Sequence, residues 1–425
     1  MSFPRYPKYK ASGVEWLGEV PEEWEVVPIK WLSPVKRGAS PRPIDDPKYF
    51  DEEGEYAWVR IADVSACDGD LNETTQRLSP LGSSLSVKIS PGELFVSIAG
   101  TVGKPCIAAI KACIHDGFVY FPTLEIAPRF LYRIFEAGVC YGGLGKWGTQ
   151  LNLNTDTVGS IRVAVPPADE LNQVLEFLDR ETEKIDELVA EQRRLMELLK
   201  EKRQAVISRA VTKGINPHAP MKPSGIEWLG DVPVGWEVTP VWILFDMGRG
   251  RVMSQEEMNQ NAGDYPVYSS QTENDGVMGR INTYAFDGDY LTWTTDGANA
   301  GTVFRRSGKF SCTNVCGTLK PRVGGLYLDF AWMALSISTE SFVRHDINPK
   351  LMNNVMAKIR ICLPAYEEQV KIANYVTHSV ADFDTLTAEA QRAIDFLQER
   401  RTALISAAVT GQIDVRDYSK TRGAA

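Results

Sequence analysis

The side chains most able to do covalent chemistry are few in this sequence and poorly placed for it. The four histidines, at 115, 218, 345 and 378, have no companion at ligand spacing. His115 in "HDG" and His345 in "RHD" each adjoin a carboxylate that could orient an imidazole as a general base. A lone His–Asp neighbour is more often a satisfied core or surface pair. The segment "GTVGKP", Gly100 to Pro105, has the glycines and lysine of a phosphate loop. It lacks the spacing and the Ser or Thr hydroxyl that would reach magnesium, and reads as a tight turn with a basic tip. Cys312 and Cys316 have no second Cys or His pair to complete a zinc site. The acidic stretch 45 to 55, "DDPKYFDEEGE", could bind a cation but reads as a solvated turn. No H-E-x-x-H, G-x-S-x-G or dinucleotide fingerprint occurs. The sequence therefore predicts no catalytic constellation and no metal, and suits a protein that recognises and does not transform.

The elements that would position a recognition surface are better marked. With 425 residues, 44% of them hydrophobic and 24% charged, the chain is long enough for two or more domains with buried cores. It carries no signal-like leader and no run of about eighteen apolar residues, so the expectation is a cytoplasmic protein with no membrane contact. Seven scattered cysteines among apolar neighbours suit buried thiols in a reducing compartment. A net charge of −9 and a pI near 5.2 exclude a uniformly basic surface. Any grip on a polyanion must come from locally gathered Lys and Arg.

The chain says the same thing twice. "SGVEWLGEVPEEWEV", Ser12 to Val26, returns as "SGIEWLGDVPVGWEV", Ser224 to Val238. "IRVAVPPADELNQVLEFLDRETEKIDEL" from Ile161 returns without a gap from Ile359 as "IRICLPAYEEQVKIANYVTHSVADFDTL". The first pair is offset by 212 residues and the second by 198, so the first insert is 14 residues longer. A period this long marks a duplicated domain pair and not a solenoid, and a duplicated chain can fold about an internal pseudo-twofold axis. From Ala168 to Thr212 there is no Gly or Pro, and Leu171, Leu178, Ile185, Gln192, Leu199 and Val206 recur every seven residues with Val174, Leu188 and Leu195 three further on. Val376, Phe383, Ala390, Leu397 and Leu404, joined by Ile372, Leu386 and Ala393, repeat the pattern. Two long helices with a mutual coiled-coil seam are predicted. Between these frames, residues 33–158 and 245–356 are rich in Gly, Pro, Ser, Thr and aromatics. Short β-like runs such as "GELFVSIAG" and "DYLTWTTDG" predict strand-dominated domains, with almost no similarity between the two inserts.

The repeated Trp phrase, the "IRVAVPPADELNQ" transition and their second copies, spread over essentially the whole chain, resemble the specificity subunit of type I restriction-modification enzymes. The resemblance implies an α+β fold: two globular strand-rich target recognition domains joined by two long helices that form an antiparallel coiled coil, an internal pseudo-twofold repeat. On that plan residues 1–160 are the N-terminal brace and first recognition domain, and 161–217 the linker and first long helix. Residues 218–358 are the repeated brace and second recognition domain, and 359–425 the linker, second long helix and C-terminal tail. The resemblance implies a non-catalytic subunit, each recognition domain reading one half of a bipartite double-stranded DNA target and the coiled coil setting the spacer. It implies two modification subunits that methylate adenine with S-adenosylmethionine and two restriction subunits that use ATP and magnesium. The cofactors belong to those partners, and this chain binds none.

Base readout requires donors and acceptors on loops of the inserts, with Arg, Lys, Gln and Asn leading. The first insert offers Lys36, Arg37, Arg60 and Lys104, then Lys146, Thr149, Gln150 and Asn152 in "KWGTQLNLN". The second offers Arg249 and Arg251 in "GRGR", Ser269, Ser270 and Gln271 in "YSSQTEN", Arg305 and Arg306 in "VFRRSGK", and Lys350. Trp16, Trp24, Trp228 and Trp236 recur with the frame and not with the inserts, so they are expected to be structural anchors that brace each domain on the helices.

Overall fold

The computed structural model describes residues 3–142, 144, 153–345, 348–416 and 418. It forms two compact units, Met1–Gln192 with Arg392–Ala425, and Arg193–Gln391. Two helices of 46 and 44 residues, Ala168–Lys213 and Tyr366–Val409, contribute to both. Among the described residues no helix is long and apolar enough to cross a membrane, and no group of three His, Cys, Asp or Glu side chains could hold a metal ion.

In the first unit the repeated phrase folds as a small hairpin, Tyr9–Ala11 against Glu19–Pro21. It runs on into a strand, Glu25–Pro28, that pairs antiparallel with Arg162–Val165. The latter leads directly into the first long helix, so the pairing fixes where that helix starts. Trp24 is wholly buried, and its indole N–H donates to Glu170 Oε1 at 2.8 Å in the helix's first turn. Gly411, just past the end of the second long helix, seats on the same tryptophan; its φ is +69°, and an added Cβ would strike Pro21.

The second unit repeats this with Met221–Pro223 against Asp231–Pro233 and Glu237–Pro240 against Arg360–Leu363. There Trp236 N–H donates to Glu368 Oε2 at 3.2 Å, and Gly214 (φ +76°) closes the first long helix against the same ring. In each unit a buried Trp is wedged between the beginning of one long helix and the end of the other. Trp16 and Trp228 are half-buried, the latter edge-on to Phe342 at 6.1 Å.

The inserts, so unlike in sequence, share one topology. In the first, strands run in the order Lys36–Arg37, Phe118–Tyr120, Leu94–Ser97, Pro105–Ala108, with Asp70–Leu71 added at the edge. In the second the order is Phe245–Arg249, Cys316–Pro321, Tyr290–Thr294, Val303–Arg306. The companion sheets also correspond: Gln76–Leu78, Tyr56–Val59, Ala112–Ile114, Val87–Ile89 matches Val277–Ile281, Tyr265–Tyr268, Lys309–Cys312, Phe286–Asp287. Each contains one parallel pair, with Ala57 opposite Ala112 and Val267 opposite Ser311. Backbone ladders tolerate many sequences provided that inward positions stay apolar, which is why similarity of fold left so little similarity of residues.

The long helices pair antiparallel in each unit: Arg401 Nε meets Asp186 at 2.8 Å in the first, and Arg203 Nε meets Asp384 at 3.1 Å in the second. Both arginines and both aspartates are related by the same 198-residue offset, so the duplication is expressed as two equivalent ion pairs. The second stripe of the seam agrees with expectation at Val174 and Ile372, which are buried, and differs further along. Leu188, Leu195 and Leu386 are exposed, whereas Val189, Val380 and Ile394 are buried. There the inward side chains Val189, Val380 and Ile394 lie four residues, not three, after the buried Ile185, Val376 and Ala390.

Each insert is also fastened to the helices through a helix of its own. In the first unit Arg133 on Pro128–Ala137 is buried and donates to Glu136 at 2.8 Å and Asp179 at 2.7 Å, while Arg401 reaches the same Glu136 at 2.9 Å. In the second, Leu328–Ser338 joins an apolar core with Trp236, Ile372 and Val376. Gln369 in the first turn of the second long helix accepts from Tyr327 N–H at 2.8 Å.

Candidate nucleic-acid interface

Arg37 and Arg249 occupy equivalent places. Each ends the first strand of its insert and is followed by a glycine, Gly38 or Gly250, so close to the backbone of the facing loop that a Cβ would collide with His115 O or Cys312 O. Each guanidinium donates through Nε to a carbonyl of that loop, Asp116 O for Arg37 and Asn314 O for Arg249. Asp116 and Asn314 are again 198 residues apart. Two exposed arginines are thus held at the same corner of two differently surfaced domains.

Around Arg37 the corner is completed by Asp116, whose carboxylate accepts from Ser40 Oγ at 3.0 Å and Arg42 Nη2 at 3.1 Å. Partial burial alone would raise the Asp116 pKa; Ser40, Arg42 and Arg37 overcome it and hold the group below its usual value. His115 packs on Phe118 at 4.6 Å and accepts from Gly117 N–H through Nδ1 at 2.8 Å. Its burial, with Arg37 nearby, lowers its pKa against the pull of Asp116. Lys36 is exposed beside Arg37.

Arg60 and Lys104 lie at opposite ends of the helix Ile61–Ala66. Arg60 precedes it, exposed and bonded to Gln76 Oε1. Lys104 is half-buried and closes the helix, its Nζ on the carbonyls of Ser65 at 3.0 Å and Cys67 at 2.9 Å. Lys146, Thr149, Gln150 and Asn152 lie outside the described residues.

In the second unit three loops converge near Arg249. Its Nη2 lies 3.5 Å from both Thr295 Oγ1 and Asp296 Oδ2, and Lys350 Nζ approaches the other oxygen of Asp296 at 3.8 Å. Asn299, in the same turn, donates to Ser270 O at 3.4 Å. Ser269 and Gln271 belong to that loop, which closes on itself through Ser269 N–H to Gly276 O at 3.0 Å and Gln271 Nε2 to Val277 O at 2.6 Å. Structure therefore gathers Arg249, Lys350 and the 269–271 segment. Arg251 is exposed to one side, paired with Glu257.

The neighbours Arg305 and Arg306 part company because successive strand residues face opposite ways. Arg305 is tied to Asp329 at 3.1 Å and Asp289 at 2.9 Å. Arg306 is buried, its guanidinium 3.6 Å from the centre of the Tyr268 ring and its nitrogens on Asp275 Oδ2 at 2.6 Å and Asp275 O at 2.9 Å. Asn274 and Asp275 adopt positive φ there, 49° and 52°. Arg306 as placed holds the shape of the 269–276 loop and does not itself face solvent. The residues that sequence reasoning missed are the acceptors: Asp116, Asp296, Asn314, the buried Glu170 and the half-buried Glu368. Their only signal was recurrence at the frame's own offset for Asp116 with Asn314 and for the two glutamates.

Comparison with known proteins agrees with this architecture. A family model described as the type I restriction modification DNA specificity domain matches residues 233–394. A putative type I specificity subunit of Mycoplasma pneumoniae is 47% identical over 135 residues, 31% of this chain and 37% of that protein. The N-terminal part of another from the same organism is 44% identical over 131 residues, 31% of this chain and 70% of the relative. The chain thus spans little more than a third of the first relative and over two thirds of the second. A solved chain from work on complex assembly and conformational transition of the type I R-M system superposes with a TM-score of 0.67 at 15% identity, over 92% of this chain and 98% of that one, a likeness of fold. With 44% identity over 70% of the second relative, this chain belongs to the family of type I restriction-modification specificity subunits.

Proposed function

We propose that this chain is the DNA-reading, non-catalytic subunit of a type I restriction-modification complex, each strand-rich unit reading one half of a bipartite duplex target. The observation that carries the proposal is the twin corner: Arg37 and Arg249 in equivalent positions on the same strand topology, each surrounded by different side chains. A guanidinium supplies the donor fork that reads guanine in the major groove, and unlike surroundings on like supports suit two unlike half-sites. In the first unit the contact set is Lys36, Arg37 and Arg60; in the second it is Arg249, Arg251, Lys350 and Ser269 to Gln271. Lys104, Arg305 and Arg306 act behind these as supports.

The two long helices serve as the spacer, at about 1.5 Å per residue some 66 to 69 Å each, longer than the ~34 to 36 Å between half-sites one duplex turn apart. Methylation of adenine from S-adenosylmethionine and ATP- and magnesium-dependent restriction belong to partner subunits, two of each. The acidic net charge of this chain leaves much of the phosphate grip to them. The test is to express the chain with its modification partner and map methylated adenines genome-wide. A split motif with a fixed spacer is expected; methylation at a continuous motif, or none, overturns the reading.

A further inference from the structure

Two thiols of the first unit meet in a way that DNA reading does not use. Cys67 follows the helix Ile61–Ala66 and Cys106 lies in the strand Pro105–Ala108, and their Sγ atoms are 3.3 Å apart. Cys106 is wholly buried. Cys67 is half-buried and lines a cavity of about 520 Å³ together with Asp63, Asp68, Asp70 and Glu73. We propose that Cys67 and Cys106 form a reversible dithiol–disulfide couple, oxidised by a small uncharged hydroperoxide that enters through this cavity.

The geometry needs little adjustment. A disulfide places its sulfurs about 2.05 Å apart, so closure by little more than an ångström suffices, and Cys67 lies just past the end of a short helix. The two thiols are made unequal by their surroundings. Hydrogen bonding from Cys106 holds the Cys67 pKa well below its ordinary value, helped by Gly69 N–H and the Lys104 ammonium against burial and Asp68. Giving up that hydrogen bond, with burial and Asp70, pushes the Cys106 pKa up. Cys67 is accordingly the nucleophile and Cys106 the resolving thiol. The Cys67 sulfur attacks one peroxide oxygen, the O–O bond breaks and water or an alcohol leaves with the second oxygen, so that Cys67 carries a sulfenic acid. The Cys106 sulfur then attacks the Cys67 sulfur, the S–O bond breaks, and the hydroxyl departs as water with the Cys106 proton. Two thiols lose two electrons and the hydroperoxide gains them. The acidic lining disfavours anionic oxidants such as a carboxylate-bearing disulfide. The new bond would pin the helix that follows Arg60 to the strand that follows Lys104.

The test uses the full chain, fully reduced, exposed to hydrogen peroxide at neutral pH and analysed by peptide mass mapping. The expected product is a Cys67–Cys106 linked peptide, reversed by dithiothreitol, forming ~10-fold faster than any loss of thiol at Cys113, Cys140, Cys312, Cys316 or Cys362, as a thiolate outpaces neutral thiols. Cys106→Ser is expected to leave a dimedone-trapped sulfenic acid at Cys67, and Cys67→Ser to leave Cys106 reduced. Oxidation of Cys67 in the unaltered chain without linkage to Cys106, or at a rate no greater than the other five thiols, overturns the proposal. The unaltered chain alone decides it should a variant fail to fold.

Discussion

Glu170 is 6% exposed, yet it is a carboxylate. It is tolerated because Trp24 N–H and Tyr6 OH both donate to its Oε1, at 2.8 and 2.6 Å, so the buried polar group has fixed partners. Glu170→Ala strands both donors and is expected to destabilise the first unit by about 2 kcal/mol, within the usual cost of an orphaned buried group. Glu170→Gln keeps an acceptor and should cost less. Urea unfolding followed by tryptophan fluorescence measures both. If Arg249 reads a base as proposed, Arg249→Ala should relax discrimination at one base pair of one half-site, by about 1 to 3 kcal/mol, in a binding selection from randomised duplexes. Arg306→Ala should instead weaken several positions of that half-site together, because it loosens the 269–276 loop as a whole. Arg37 and Arg249 were legible in the sequence as basic residues of the inserts. Their acceptors were not, since Asp116 and Asn314 lie 79 and 65 residues along the chain from the arginines they meet, and only the folded sheet brings them there.

The two long helices were plain in the sequence, through the absence of Gly and Pro and the sevenfold spacing, and their extents agree closely with the observed spans. The stripe that completes the seam is legible only in part, at Val174 and Ile372, which are buried as the spacing predicts. Leucines at 188, 195 and 386 made i+3 look apolar, and nothing local told the reader that they stay exposed while Val189 and Val380 turn inward. Strand order within the inserts was likewise illegible, because pairing partners are non-local and the two inserts share almost no residues. At the helix ends, Gly411 takes φ +69° against Pro21. Gly411→Ala is expected to lower the stability of the first unit by at least about 1 kcal/mol, from the left-handed backbone together with the collision, visible as a lower thermal midpoint. If the helices set the spacer, inserting four residues, about one turn, into either one should shift the preferred spacer by roughly one or two base pairs. Selection of an unchanged spacer would refute that role.

On the scale of the whole molecule, the first unit is assembled from both ends of the chain, whereas the second is one continuous stretch. A chain ended before Arg392 keeps every strand of the first unit but loses the helix that supplies Arg401 to Glu136 and Asp186 and the turn on which Trp24 seats. Hydrogen exchange on such a chain is expected to show faster opening throughout residues 3–142 and slower, near-normal opening in the strands of the second unit. The same interleaving bears on synthesis. About 200 residues are translated between the two parts of the first unit, which at roughly 5 to 20 residues per second is about 10 to 40 s. For that interval the earlier-made half waits on the ribosome with the seat for its tryptophan missing, and the later half has its own fold within reach. The order of birth is therefore reversed in the order of completion, and the stretch from the hairpin to the first long helix is the one that a chaperone would have to shelter.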